Sequence, residues 1–222
     1  MDNKKVILLG LVLDATFSFS AVYTQIYYML ERLVISLQER SDNMADTEIR
    51  YGVTLLRDHP ESLLMERDEY FTANGRETLR RLADVDFYGG SDEGSEELGQ
   101  AIRVQQRLMT EYEACHDEEC RKVLMLFTDS MPLDGNLFPD YAAPEISDIE
   151  HNYSYGVTSA YFYTYNGEYM PKMRLSDGSG IVRESSAGTC VFGSIAEMLD
   201  WNEKETISNM EILAEEILTS NR

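Results

Sequence analysis

The feature that most constrains the fold of this chain is an unbroken apolar stretch at residues 6–13. Its residues are all apolar or glycine, and their number matches one β-strand buried on both faces. The stretch ends at Asp14, and after Ser20 the apolar residues recur at helical spacing through residues 21–40. A buried strand that leads through a polar loop into a helix indicates an α/β fold.

The rest of the chain continues this alternation of strands and helices. A short apolar island at residues 63–65 is long enough only for an edge strand, and residues 181–187 are interpreted as a helical turn. Further strands are predicted at residues 49–56, 123–128, 156–165 and 189–192, and further helices at residues 77–85, from residue 95 and from residue 194. Continuous apolar strands between helices predict a mostly parallel sheet covered on both faces. Because no linker or repeat interrupts the pattern, residues 1–222 are predicted to form a single domain.

Charge and cysteine content limit which partners we expect the chain to bind and in which cellular compartment we expect to find it. The chain has 40 acidic and 19 basic residues, a net charge of −21, which disfavours binding to nucleic acid or to an anionic membrane. No stretch reaches the roughly 18 apolar residues of a membrane span. The apolar run after residues 1–5 resembles a short signal sequence, but it leads directly into Asp14 and is interpreted as a mature strand. The chain has three cysteines, an odd number, and it is too large to need disulfides for stability. We therefore predict a cytoplasmic protein.

Two predicted strands end in an acid. Asp14 follows the first strand, with Thr16 and Ser18 at alternate positions after it, and Asp129 follows the strand at residues 123–128. Carboxyl ends of parallel strands are where open α/β sheets place their ligands. Either acid alone would also suit the cap of a helix or turn, whereas the two acids with two hydroxyls favour a binding site.

These motifs resemble those of von Willebrand factor A (vWA) domains. Residues 14–18 look like the family's D-x-S/T-x-S motif, and residues 126–132 are similar to its hydrophobic strand followed by T-D-G-x-P. Residues 89–92 look like its intervening Gly-Gly loop, which precedes a helix. The resemblance covers essentially the whole chain, with Thr16 in place of Ser and Ser130 in place of the usual Gly. It implies a doubly wound, Rossmann-like sheet of about six strands, mostly parallel with one antiparallel edge strand.

The resemblance also implies a metal-ion-dependent adhesion site (MIDAS) for Mg²⁺, or for Mn²⁺ or Ca²⁺. Hydroxyl and carboxylate oxygens suit such hard cations. Thr16 and Ser18 would bind the ion directly, and Asp14 and Asp129 would hold it or its bound waters. The third loop would supply a further ligand, for which we favour Asp92. The alternatives to Asp92 are Ser91, Glu93 and Ser95.

The function implied is a non-enzymatic, metal-dependent protein-binding module that grips an acidic side chain of a partner. One alternative is a metal-free vWA-like scaffold that uses apolar residues of the loop at residues 130–152. Another is a Mg²⁺-dependent phosphohydrolase with Asp14 as nucleophile. Thr16 disfavours that enzyme, because many such enzymes carry a second acid at this position.

Overall fold

The structure is a computed structural model of the chain. It describes residues 4–66, 69–89, 94–116, 120–129, 157–164, 181–185 and 188–219.

Strands and helices alternate along the described residues. The strands are β1 (Lys5–Asp14), β2 (Thr47–Leu56), β3 (Glu61–Ser62), β4 (Cys120–Thr128), β5 (Ser159–Thr164), β6 (Ile181–Ser185) and β7 (Gly188–Ser194). The helices are α1 (Ser20–Asp42), α2 (Gly75–Ala83), α3 (Gly94–His116), α4 (Ile195–Leu199) and α5 (Glu203–Thr219). None of these helices is both long enough and apolar enough to cross a membrane.

All of the described strands belong to one sheet, in the order β3-β2-β1-β4-β5-β7-β6. The five inner strands run parallel to one another, and β3 and β6 lie antiparallel to them at the two edges. This arrangement confirms the predicted α/β, Rossmann-like fold with a mostly parallel sheet. The predicted antiparallel edge strand is present as β3, at Glu61–Ser62 rather than in the apolar island at residues 63–65 where we expected it, and β6 adds a second antiparallel edge.

The prediction for residues 181–187 is wrong. Residues 181–187, interpreted as a helical turn, contain strand β6, which pairs antiparallel with β7 from Ile181 opposite Phe192 to Ser185 opposite Gly188. The strand depends on its pairing with β7, and the local sequence of residues 181–187 does not distinguish a helical turn from a strand. The possible extra strand at residues 168–175 lies outside the described residues.

Strand β1 is apolar throughout because both of its faces are covered. Leu9 and Leu11 belong to the cluster that includes residues of α1 and α5, whereas Leu8 and Val12 belong to the cluster that includes residues of α3. Each of these side chains is buried. At roughly 1.5–3 kcal/mol per buried aliphatic side chain, β1 contributes strongly to the stability of the fold. Because β1 lies between β2 and β4, these two strands fix the position of its carboxyl end.

Helix α3 approaches β1 very closely at Gly10. A Cβ atom there would lie 2.6 Å from both Gln105 Nε2 and Met109 Cε, so a side chain at this position would force these two side chains of α3 to shift. The same glutamine accepts a hydrogen bond of 2.6 Å from the buried Thr54 hydroxyl on β2 through its Oε1 atom. Helix α3 is therefore fixed against the middle of the sheet.

Candidate metal centre at the carboxyl edge of the sheet

The polar site begins where β1 ends. Asp14 is the last residue of β1, pairs with Leu56 of β2 and is fully buried. The next residue, Ala15, donates a 2.9 Å backbone hydrogen bond to the Leu56 carbonyl. Helix α1 begins only at Ser20. The intervening loop, residues 15–19, therefore starts from a fixed point at the edge of the sheet.

The Asp14 carboxylate organises this loop. Its Oδ1 atom accepts hydrogen bonds from the Thr16 backbone N–H at 2.9 Å and from the Thr16 hydroxyl at 2.6 Å. Its Oδ2 atom accepts a third hydrogen bond, at 2.6 Å, from the hydroxyl of Thr128 at the end of β4. Asp14 thus holds its own loop and joins it to the neighbouring strand.

A chain of oxygen atoms continues from Asp14 towards the surface. Thr16 Oγ1 lies 3.2 Å from Ser18 Oγ, and the Ser18 hydroxyl donates a 3.2 Å hydrogen bond to Asp129 Oδ1. The structure therefore brings together four of the five predicted metal ligands, Asp14, Thr16, Ser18 and Asp129. The first three come from one loop, and Asp129 comes from the end of the adjacent parallel strand.

The two carboxylates influence each other. Burial, and then the nearby charge of Asp14, raise the pKa of Asp129 from 3.8 to about 6, while the hydrogen bond from Ser18 acts in the opposite direction. Among the described residues, neither carboxylate forms an ion pair with a basic side chain. The site therefore has negative charge that no described side chain balances.

These residues fit a hard divalent cation. Every donor is an oxygen atom, which is the preference of Mg²⁺, Mn²⁺ and Ca²⁺. Adjacent ligands of an octahedral ion with bonds of about 2.1 Å lie roughly 3 Å apart, close to the 3.2 Å between the Thr16 and Ser18 hydroxyls. Within the described part of the chain, no three His, Cys, Asp or Glu side chains form a metal cluster, so binding would depend on the hydroxyls.

The third predicted loop lies beside the first. The Tyr88 N–H donates to the Ala15 carbonyl at 3.1 Å, and the Phe17 N–H donates to the Gly89 carbonyl at 3.4 Å. Gly89 has a φ of +78°, and a Cβ atom there would lie 2.9 Å from the Asp58 carboxylate, so both conformation and space favour glycine.

The preferred third-loop ligand, Asp92, lies outside the described residues, as do Ser91 and Glu93. Ser95 lies in the first turn of α3. Asp92 therefore stays a prediction.

Two residues that support the site were not predicted from the sequence. Thr128 orients Asp14, and Arg57 donates hydrogen bonds to the Asp86 carbonyl at 2.7 Å and to the Tyr88 hydroxyl at 2.9 Å. The position of Thr128 in the T-D motif was a usable signal, because the end of β4 lies next to Asp14 in the parallel register. Arg57 carried no such signal, since Asp86 and Tyr88 lie about 30 residues later in the chain.

No protein-family model matches the sequence, and no curated protein sequence matches it. Solved structures do match. A von Willebrand factor type A protein from Catenulispora acidiphila aligns with 96% of this chain at a TM-score of 0.58 and 9% identity. The chain has the fold of a von Willebrand factor A domain.

Two other solved structures align with nearly all of this vWA-like chain. The PilB minor pilin from Streptococcus sanguinis aligns with 98% of it, at a TM-score of 0.56 and 10% identity. An aerotolerance-related membrane protein from Bacteroides fragilis aligns with 96% of it, at a TM-score of 0.52 and 13% identity. The chain spans 43% of the Catenulispora protein, 62% of the pilin and 98% of the Bacteroides protein. At these identities the likeness establishes the vWA fold alone.

Proposed function

We propose that this chain is a protein-binding module that uses a divalent cation, Mg²⁺ or alternatively Mn²⁺ or Ca²⁺, to bind an acidic side chain of a partner. The observation that carries the proposal is the continuous set of oxygen atoms from Asp14 through Thr16 and Ser18 to Asp129. A minor pilin is among the structures of similar fold, which supports a protein as the partner.

The proposed roles follow from burial and hydrogen bonding. Thr16 and Ser18 would offer neutral hydroxyl oxygens to the ion, while Asp14 holds the loop in place from below. Asp129 is only half-buried and would hold the ion or its bound waters from the side. With few charged ligands, a bound Mg²⁺ would act as a Lewis acid that keeps an affinity for a further carboxylate. An acidic group of the partner would therefore complete the site.

The contacts of Asp14 support a role in binding rather than in catalysis. Both of its carboxylate oxygens accept hydrogen bonds, and the side chain is fully buried, so a substrate phosphorus would not reach it. A nucleophile must come within about 3–3.5 Å of the atom it attacks. We therefore expect no Mg²⁺-dependent hydrolysis of p-nitrophenyl phosphate. Hydrolysis that disappears in Asp14→Asn would favour the phosphohydrolase instead.

The test of the proposal is a titration with Mn²⁺, followed by electron paramagnetic resonance. We expect one saturable site per chain in the wild type. Loss of a supporting carboxylate in Asp129→Asn should weaken binding by about 10–100-fold, and Ser18→Ala should weaken it too. Ser208→Ala, which changes an exposed serine of α5, is the matched control and should bind as the wild type does.

The second stage of the same experiment tests partner chemistry. A blocked five-residue peptide with one central aspartate between alanines should displace water from bound Mn²⁺, as measured by water-proton relaxation. The corresponding peptide with a central asparagine should not. Wild-type protein without a saturable Mn²⁺ site would contradict the proposal and favour the metal-free scaffold.

A further inference from the structure

Two exposed aromatic side chains lie beside the proposed metal site. Phe17 is 75% exposed and stands in the chain between Thr16 and Ser18. Tyr88 is 53% exposed and precedes Gly89 in the neighbouring loop. We call this pair the aromatic rim. Large aromatic groups left in water next to a polar site are typical of a surface that another molecule covers.

The aromatic rim is held in place by the backbone and by Arg57. The Phe17 N–H and the Tyr88 N–H each donate a hydrogen bond to the opposite loop, so the two aromatic residues stand on neighbouring segments. The Arg57 guanidinium lies 4.2 Å from the centroid of the Tyr88 ring and also donates to its hydroxyl. Arg57 is itself buried and forms an ion pair with Glu61. A group fixed in advance loses little conformational entropy when a partner binds.

We propose that the aromatic rim selects a partner segment in which a single carboxylate is flanked by apolar or aromatic side chains. This inference rests on the proposed function, because the carboxylate is the group that would complete the metal site. Phe17 lies between the two hydroxyl ligands in the chain. Any segment whose carboxylate reaches the ion would therefore place its neighbouring residues within reach of Phe17 and Tyr88.

The charge of the chain argues for apolar rather than acidic neighbours. The net charge is −21, and Asp14 and Asp129 form no ion pair within the described residues. A run of several acids would be repelled by this surface, whereas one carboxylate can be balanced by the cation. Apolar flanks add contact with the aromatic rim and no repulsion. The single carboxylate and its apolar neighbours thus distinguish the proposed partner segment from a generic acidic peptide.

The experiment compares three blocked five-residue peptides on the Mn²⁺-loaded chain by water-proton relaxation. Each has a central aspartate, flanked on both sides by alanine, by phenylalanine or by further aspartates. The phenylalanine-flanked peptide should bind about three- to tenfold more tightly than the alanine-flanked one, the gain typical of an added aromatic contact. The aspartate-flanked peptide should bind no more tightly than the alanine-flanked one at low ionic strength.

Variants of the aromatic rim separate this inference from the proposed function. In Phe17→Ala, which removes an exposed side chain, the preference for phenylalanine flanks should disappear while Mn²⁺ affinity stays as in the wild type. Ile212→Ala removes an apolar side chain of α5 that is 55% exposed, and it should keep the preference. Equal affinity for the alanine and phenylalanine peptides, with Mn²⁺ bound, would overturn the inference alone. Absence of Mn²⁺ binding would overturn the proposed function as well.

Discussion

The ends of β1 and β4 carry the same kind of residue in very different surroundings. Asp14 is fully buried and accepts three hydrogen bonds, from Thr16 and Thr128. Asp129 is half-buried, accepts a hydrogen bond from the Ser18 hydroxyl and has a pKa raised to about 6. The difference indicates that the two acids have different structural roles. Asp14 builds the loop, and Asp129 is the more exposed of the two acids, which suits the ligand contact that we propose for it.

The sharpest way to break this comparison is to remove each carboxylate in turn. Asp14→Ala should lower the free energy of unfolding by about 3 kcal/mol without metal, because buried donors on Thr16 and Thr128 lose their acceptor. Asp129→Ala should change it by less than about 1 kcal/mol, since that side chain is partly solvated. Urea unfolding followed by circular dichroism measures both values. Equal losses of unfolding free energy in the two variants would contradict this difference in roles.

A smaller effect should come from Thr128, which precedes Asp129 at the end of β4 and donates a hydrogen bond to Asp14. Thr128→Val keeps the shape of the side chain but removes the donor to Asp14 Oδ2, so the free energy of unfolding should fall by roughly 1–2 kcal/mol. The loss should be smaller than that of Asp14→Ala. Thr110→Val is the comparison for an exposed threonine hydroxyl that donates to the Gln106 carbonyl of its own helix, and it should cost less. A loss in Thr128→Val no larger than in Thr110→Val would argue against the link between β1 and β4.

The smallest expected effect is the pH dependence of metal-free stability. The pKa of Asp129 is raised from 3.8 to about 6 by folding, so the folded state binds its proton more tightly than the unfolded state does. The stabilisation from this proton is complete below pH 3.8 and is lost as the pH rises through about 6. Relative to Asp129→Asn, the wild type should lose less than about 1 kcal/mol over this range. Thermal unfolding of both proteins from pH 4 to 7 measures the difference, and parallel curves would refute it.

The main lines of the fold could be predicted because they depend on features that are local in the sequence. The apolar stretch before Asp14 and the one before Thr128 each predict a strand buried on both faces, and two such strands separated by helices predict a parallel sheet. The carboxyl ends of parallel strands share one edge, which is why Asp14 and Asp129 come together although Asp14 and Thr128 are 114 positions apart in the chain.

Other contacts could not be predicted, because they depend on pairing that the local sequence of either segment does not show. Strand β6 forms through its partner β7, and a short stretch such as residues 181–187 suits a helical turn or a strand equally well. The hold of Arg57 on Tyr88 needs the three-dimensional positions of two loops. Asp92 lies outside the described residues, so its place in the site stays a prediction.

The paired backbone hydrogen bonds between the loops around Ala15 and Tyr88 have a practical consequence for protein engineering. The five-residue D-x-T-x-S motif does not hold its shape alone, because part of its backbone is anchored to a segment more than 70 residues away. A transplant of this motif onto another parallel sheet would have to include residues 86–89 and the arginine behind them. The smallest transferable unit is therefore the two loops together with Arg57. A graft of the motif alone would have the right sequence but not the backbone conformation seen here.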